Sequence, residues 1–345
     1  NKLYKKVTLG IKGFIVSEKT RVQGRLKSKS TIIAILISLL YFWFVGYGTQ
    51  EQQHKATYLF IMFWILMMAY TLRKTERANL LISTQKKEIE QKNKDILDSI
   101  TYAKRLQDAI LPPLSAIKQY LPESFVFYKP KDIVAGDFYW MEKSGDTIFI
   151  AAADCTGHGV PGAMVSVVCS TALNRALKEF NIRETGKILD KARELVLETF
   201  EKSEDNVQDG MDISLAAISY QPTANSFSLQ WSGAYNSLWY VHDGKVIEVA
   251  ADKQPIGKVD KPVAFTTHNL ALHKGDTLYL FTDGYADQFG GLKGKKFKYK
   301  QLQKLLQTNA GKPLEAQKAI LESTLNEWKG NLEQVDDILV IGIQV

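Results

Sequence analysis

Four short acidic motifs, each beside an apolar run, constrain this chain more than any other feature. They are Gly136-Asp137 in AGDFYW, Asp154 in AAADCTGHGVPGAM, Asp283 in LFTDGYAD, and Asp336-Asp337 in VDDILVIGI. The neighbouring runs TIFIAAAD, DTLYLFTD and DILVIGIQV have the length and the β-branched and aromatic content of strands. Strand ends are where a fold can gather carboxylates that lie far apart in sequence. Hard oxygen donors without His or Cys partners suit Mg²⁺ or Mn²⁺, so the pattern predicts a two-metal site.

The formal net charge is +7, and the excess lies near the start. Residues 1–30 carry Lys2, Lys5, Lys6, Lys12, Lys19, Arg21, Arg25, Lys27 and Lys29 against the single acid Glu18. This is a basic cytoplasmic arm, and no nucleic-acid partner is expected. Two apolar runs follow, about 31–47 and 56–72, separated by GTQEQQHK. Each approaches the roughly 17 residues needed to cross a bilayer. Arg73, Lys74 and Arg77 come directly after the second. Positive charge at both outer ends puts the termini in the cytoplasm, which predicts a multi-pass protein of the inner (cytoplasmic) membrane with its catalytic part in the cytoplasm. A buried hairpin of a soluble domain is the alternative; the scarcity of polar positions argues against it. A cleaved signal peptide is disfavoured, because a second apolar run follows at once. The chain opens at Asn1 rather than Met, and an upstream sensor domain is an expectation from that. Cys155 and Cys169 are the only cysteines, too few for a disulfide framework and consistent with a reducing compartment.

Residues 73–111 read as a charged helical linker, with Ile82, Ile89, Ile96, Ala103 and Ile110 recurring every seventh position. The companion seam is poor, because Gln85, Lys92 and Ser99 precede Leu106. A weak coiled coil, and a homodimer through this helix, are therefore expected; a solvated single helix is the alternative. Pro112-Pro113 ends the helix. Residues 112–345 form the expected output domain. FVFYKP, DFYWMEK and TIFIAAAD read as strands, ISLAAISYQ, SFSLQWSG, SLWYVHDG and KVIEVA as a meander, and DTLYLFTD and DILVIGIQV as two more. Helical periodicity appears at 160–180, 187–202, 299–308 and 313–328. Hairpin-joined strands predict antiparallel sheets packed face to face with helices outside: an α+β fold.

The order GDFYW, DCTGHGVPGA, TDG and DDI resembles the SpoIIE-type branch of the metal-dependent protein serine/threonine phosphatases, the protein phosphatase 2C superfamily. SITYAKRLQDAILPP, WSGAYNSLWY and KQPIGKV add to the likeness, which runs from about residue 99 to 345. The resemblance implies an α/β/β/α sandwich with two Mn²⁺ or Mg²⁺ ions at one edge. It assigns Asp137 and Asp154 as shared ligands, the Cys155 backbone carbonyl as a further ligand, and Asp283 and Asp336 as carboxylates of the second metal. Asp337 occupies the neighbouring position as a further candidate ligand. Asp212, in GMDISLAAI, is either an outer-shell carboxylate or a strand-capping turn residue. His158 is either a proton donor to the leaving oxygen or part of a backbone turn. The family's eukaryotic branch uses an arginine near the start of the domain to hold phosphate, and no residue here matches it.

Two divalent ions about 3.5–4 Å apart would turn a bridging water into hydroxide and clamp the phosphoryl oxygens for in-line attack. The reading is a membrane-tethered phosphatase whose linker helix sets activity by moving against the helices beside the metal loop. Its implied partner is a phosphorylated regulatory protein such as an anti-sigma-factor antagonist. The competing readings are a catalytically silent phosphoprotein-binding scaffold of the same fold and a nucleotidyl cyclase output domain. A Cys155 nucleophile is disfavoured, since the Cys-x5-Arg pattern of thiol phosphatases is absent.

Overall fold

The computed structural model describes residues 33–43, 45–201, 209–221 and 226–345. The expected basic arm 1–30 and the first residues of the first apolar run lie outside them. The chain divides into two compact units, Asn1–Ile96 and Leu97–Val345.

In the first unit an apolar helix, α1 (Ile33–Tyr47), precedes the start of α2 (Gln50–Ile110). The Gln53 amide closes the turn between them, donating to the Val45 and Gly48 carbonyls at 2.9 and 3.0 Å. Tyr41 stacks on Phe60 with ring centroids 4.3 Å apart. Leu36, Leu40, Phe42, Trp43, Leu59, Ile65 and Met68 remain exposed. By length and composition α2 is one of two described helices able to cross a membrane; the other packs into the second unit's core. The second apolar run and the 73–111 linker form one continuous helix of 61 residues.

The second unit holds two five-stranded antiparallel sheets. One runs in the order β2 (Phe138–Ser144), β3 (Thr147–Cys155), β4 (Met211–Gln221), β5 (Ser226–Ala234), β8 (His268–Leu272). The other runs β1 (Ser124–Lys129), β12 (Ile338–Gln344), β9 (Thr277–Phe281), β6 (Leu238–His242), β7 (Lys245–Val249). Helices α4 (Gly159–Lys178) and α5 (Thr185–Phe200) cover the first sheet, and α7 (Tyr299–Asn309) and α8 (Leu314–Lys329) the second.

Strand alternation produces the four layers. From β3, Phe149, Ala151, Ala153 and Cys155 meet Cys169, Leu173 and Leu189 of the covering helices. Ile150 and Ala152 point the other way, into a core shared with Ile218, Leu229, Trp231, Leu278, Leu280, Leu339 and Ile341. Tyr279, Phe281, Ile338 and Val340 face Leu302, Leu306, Leu321 and Leu325 on the far side of the second sheet. Each large aliphatic residue so buried contributes about 1.5–3 kcal/mol. Two packed antiparallel sheets with helices outside are thus what the sequence predicts.

The meander is the main correction. β4 and β5 pair in the first sheet, but β6 and β7 belong to the second. The chain crosses between layers at Gly233-Ala234-Tyr235-Asn236. Tyr235 takes a left-handed φ of 54°. A Cβ on Gly233 would lie 2.5 Å from the Trp231 ring and 2.6 Å from the Asn236 carbonyl oxygen, so only glycine lets the strand turn so tightly. Strand β8, unforeseen in HNLAL, takes the place beside β5. The short helices α3 (Leu114–Tyr120) and α6 (Gly284–Asp287), and the hairpin of β10 (Phe289–Gly290) with β11 (Lys295–Lys296), were also not expected.

Ile341 lies at the centre of the inter-sheet core and is fully buried. Ile341→Ala is expected to destabilise the second unit by about 2–5 kcal/mol, read as a lower denaturant midpoint with unchanged slope.

Candidate metal centre

The β2–β3 register sets Phe138 opposite Ala153, which places Asp137 and Asp154 side by side at one sheet end. The next pairing sets Asp154 opposite Asp212. In the facing sheet, β9 and β12 pair Phe281 with Val340, so Asp283 and the Asp336-Asp337 turn emerge at the same edge. Asp137 and Asp154 are within side-chain hydrogen-bonding reach of each other, as are Asp154 and Asp283. Asp336 is close enough to raise the proton affinity of both Asp154 and Asp283.

Burial, followed by mutual repulsion, determines the electrostatics. Asp137 is pushed well above the ordinary carboxylate range by desolvation and then by Asp154. Asp154 is pushed to about 8, first by burial and then by Asp283, Asp336 and Asp212. Asp212 rises to about 6 through burial and Asp283. Asp283 also rises to about 6 through burial, Asp287 and Asp336, with Lys296 opposing. At neutral pH Asp137 and Asp154 are thereby held largely protonated, and a cation among their oxygens would restore their charge. The donor type is the one hard divalent ions take: Asp137, Asp154, Asp283 and Asp336 are carboxylates gathered at one edge, and the Cys155 carbonyl follows Asp154 in the chain. Asp212 stands next to Asp154 at the rim of this group.

Asp337 is placed differently from its neighbour. One of its oxygens accepts the Lys131 N–H and the other the Gly136 N–H, each at 2.7 Å. It therefore clamps the 131–136 loop that delivers Asp137. Its own N–H donates to Asp336 Oδ1 at 2.9 Å. Gln334 Nε2 donates to the Asp336 carbonyl at 2.8 Å and the Lys129 carbonyl at 2.7 Å, seating the last motif against the end of β1.

Close backbone contact does the rest. A Cβ on Gly136 would lie 2.3 Å from the Gly157 carbonyl oxygen, and one on Gly284 would lie 1.8 Å from that of Asp337. The glycine beside each acidic residue is what allows two motif loops to touch.

His158 precedes α4 in extended conformation, and its Nδ1 lies 3.3 Å from Asp132 Oδ2 at the exposed rim. Cys155 is buried against Cys169, and burial raises its thiol well above the ordinary range, which excludes a thiolate nucleophile.

Two contributors escaped the sequence reading. Buried Thr282 donates to Asp137 Oδ2 at 2.6 Å and accepts the Leu339 N–H at 3.1 Å, linking the first and third motifs to β12. Its signal was its place directly before Asp283. Gln107, near the end of α2, donates to the Ala135 carbonyl at 2.6 Å and accepts the Ala135 N–H at 3.1 Å. It also donates to Ser166 Oγ of α4 at 3.0 Å. A polar residue on a charged helix carries no sign of such burial. Separately, His242, His273 and Asp276 cluster at the opposite end of β9, where Asp276 accepts the His273 backbone N–H.

A family model described as Stage II sporulation protein E (SpoIIE) matches residues 144–345, more than half of the chain. The match begins after Asp137. The solved SiaA-PP2C domain of Pseudomonas aeruginosa is 31% identical, with a TM-score of 0.66, over 73% of this chain and 98% of that one. The phosphoserine phosphatase RsbU of Bacillus subtilis (strain 168) is 25% identical over 159 residues, 46% of this chain and 44% of the relative. The chain thus spans less than half the length of that curated relative. The solved RsbU and RsbW domains of a Mycobacterium tuberculosis protein share the fold at 18% identity and a TM-score of 0.51, over 65% of this chain and 60% of that one.

The raised carboxylates make the metal-free protein pH-sensitive in a defined direction. Asp154, Asp212 and Asp283 have folded-state values of about 8, 6 and 6 against an ordinary value of 3.8, so the folded state binds more protons across that range. The resulting stability is present below about pH 4 and is lost as pH rises toward about 8. In chelator, the second unit's melting temperature, followed by tryptophan fluorescence, should fall from pH 5 to pH 8. Asp154→Asn should flatten that slope, and so should Mn²⁺.

Proposed function

The chain belongs to the SpoIIE family of PP2C-type protein serine/threonine phosphatases, and from that premise we propose that it is a membrane-tethered phosphatase acting on phosphoserine or phosphothreonine of a regulatory protein. The observation that carries this reading is the oxygen-only carboxylate cluster, in which burial and mutual repulsion raise Asp137 and Asp154 so far that a cation is needed to keep them charged at neutral pH. Asp137, Asp154, the Cys155 carbonyl, Asp283 and Asp336 would hold two Mn²⁺ or Mg²⁺ ions, with Asp212 outside them and Asp337 holding the loop. When bound, the ions would activate water for attack on phosphorus and draw charge from the phosphoryl oxygens.

The chain's own residues carry out the positioning. Thr282 fixes one oxygen of Asp137, leaving the other toward Asp154. The Asp337 clamp keeps Gly136-Asp137 in register with the last motif. His158, paired through Nδ1 with Asp132, can present Nε2 to the rim and give a proton to the departing serine or threonine oxygen.

Regulation is assigned to α2. Gln107 joins that helix to the residue preceding Gly136-Asp137 and to the α4 helix that begins at the second motif. A rotation or slide of α2 would move the first motif relative to the second. The apolar α1 and the N-terminal part of α2 would cross the inner membrane, and the weak heptad from Ile82 to Ile110 would pair two copies. Membership of this family removes the cyclase alternative. RsbU's description as a phosphoserine phosphatase and the sequence resemblance favour a small phosphorylated regulator, such as an anti-sigma-factor antagonist, as substrate.

Two measurements test this reading on the full chain in mild detergent. Hydrolysis of p-nitrophenyl phosphate and of a phosphoserine peptide should require Mn²⁺ or Mg²⁺ and stop in chelator. Asp283→Asn should lower it by about a hundredfold or more; a variant as active as the parent sinks the ligand assignment. Gln107→Leu, which removes all three α2 contacts, should raise the Mn²⁺ concentration for half-activity by about tenfold. Unchanged metal dependence would detach α2 from control.

A further inference from the structure

We infer that the lysine-rich β10–β11 hairpin beside Asp283 is the docking surface for an acidic segment flanking the phosphorylated residue. This rests on the phosphatase reading of the same site and names the class of substrate it takes.

Between residues 288 and 314 the chain has seven lysines, at 293, 295, 296, 298, 300, 304 and 312, and no aspartate or glutamate. Five of them fall within residues 293–300, and all five are exposed. The segment is anchored at fixed points rather than left loose. Phe297 is buried against Tyr285 and Trp328, with ring centroids 5.2 and 5.3 Å away. The Phe297 and Lys298 N–H groups donate to the Gln288 and Ala286 carbonyls at 2.9 and 2.6 Å. Ala286 belongs to α6, the turn that begins directly after Asp283.

These anchors put Lys296 at the rim of the carboxylate cluster. Lys296 Nζ bonds Asp287 at 2.7 Å and lies near enough to Asp283 to favour its ionised form. Tyr299, packed on Phe281 and Trp239, has its phenol within the field of Asp283, Asp287, Asp154 and Asp212. Lys298 takes a φ of 73° and ψ of 148°, a backbone region that side chains other than glycine's rarely occupy. Lys293, Lys295, Lys298 and Lys300 make no ion pair with any described residue.

The charge balance selects the ligand. A single phosphoryl group meets the metal cluster, but the hairpin carries more positive charge than that group neutralises and extends along the surface beyond it. Aspartates or glutamates on either side of the phosphoserine would meet these ammonium groups while the phosphoryl group reaches the carboxylate-held cations. Complementary charge of this kind sets partner choice and encounter rate, and salt screens it.

The test measures binding to the full chain carrying Asp283→Asn, by fluorescence anisotropy of two labelled phosphoserine peptides, one with acidic and one with basic flanks. Tighter binding of the acidic peptide is expected, with the preference shrinking from 50 to 300 mM salt. Lys295→Glu/Lys296→Glu/Lys298→Glu should lower the preference about tenfold or more. Lys298→Gly relieves the backbone, so it should raise the melting temperature while weakening the acidic peptide about twofold to threefold. Equal affinity for the two peptides, an unchanged preference in the charge-reversed chain, or binding only to phosphatidylserine vesicles would overturn the proposal. Hydrolysis of p-nitrophenyl phosphate by the parent chain reports separately on the phosphatase reading, because the peptide preference is read without turnover.

Discussion

Desolvation and mutual repulsion among gathered carboxylates form the constraint around which the second unit is organised. Asp137, Asp154, Asp283 and Asp336 come from four separate segments and meet at one edge of two packed sheets. Burial and proximity raise the proton affinity of the first three. Such a cluster opposes its own assembly, and the surrounding structure offsets that cost in identifiable ways. Asp337 accepts two backbone amides, Thr282 donates to Asp137, and Gly136 and Gly284 let the motif loops meet at distances no Cβ permits. Bound cations would relieve that repulsion, and hard divalent ions match the oxygen donors.

The four-layer architecture explains why this edge is both rigid and addressable. Rigidity comes from three apolar layers, one between the sheets and one beneath each pair of covering helices. Addressability comes from what lies against the edge. On one side Gln107, near the end of α2, is hydrogen-bonded to Ala135 in the loop before Asp137. On the other side the lysine hairpin follows directly from the Asp283 turn. Signal and substrate would thus approach the same carboxylates through different elements, neither of which is part of the sandwich core.

Much of this was legible in the residues. The acidic motifs, their order and their oxygen-only chemistry pointed to a hard-metal site and to a phosphatase family, and alternation in the runs gave strands of the right period. The layer assignment was less visible. SLWYVHDG and KVIEVA follow SFSLQWSG so closely that a meander is the natural reading. Only the crossover at Gly233 to Asn236, built on a left-handed Tyr235 and a glycine against Trp231, moves them into the other sheet. HNLAL has too little apolar alternation to announce a strand, and it becomes one because β5 offers an unpaired edge. Of the neighbouring pair Asp336 and Asp337, sequence treats both as candidate ligands. The fold gives the second of them two amide partners.

By itself the sequence determined the chemical inventory: which carboxylates exist, that two apolar runs precede a charged helix, and that the strands expose one face to each neighbour. These are properties of residue type and short-range period, which need no knowledge of distant contacts. Tertiary structure alone decided which polar groups the interior would use. Gln107 and Thr282 look ordinary in the chain and become fixed partners of the site only because packing removes water from around them, and a buried donor must find an acceptor. It also decided that Lys296, one of a solvated run of lysines, stands beside Asp283, because Phe297 is drawn into the core and carries it there.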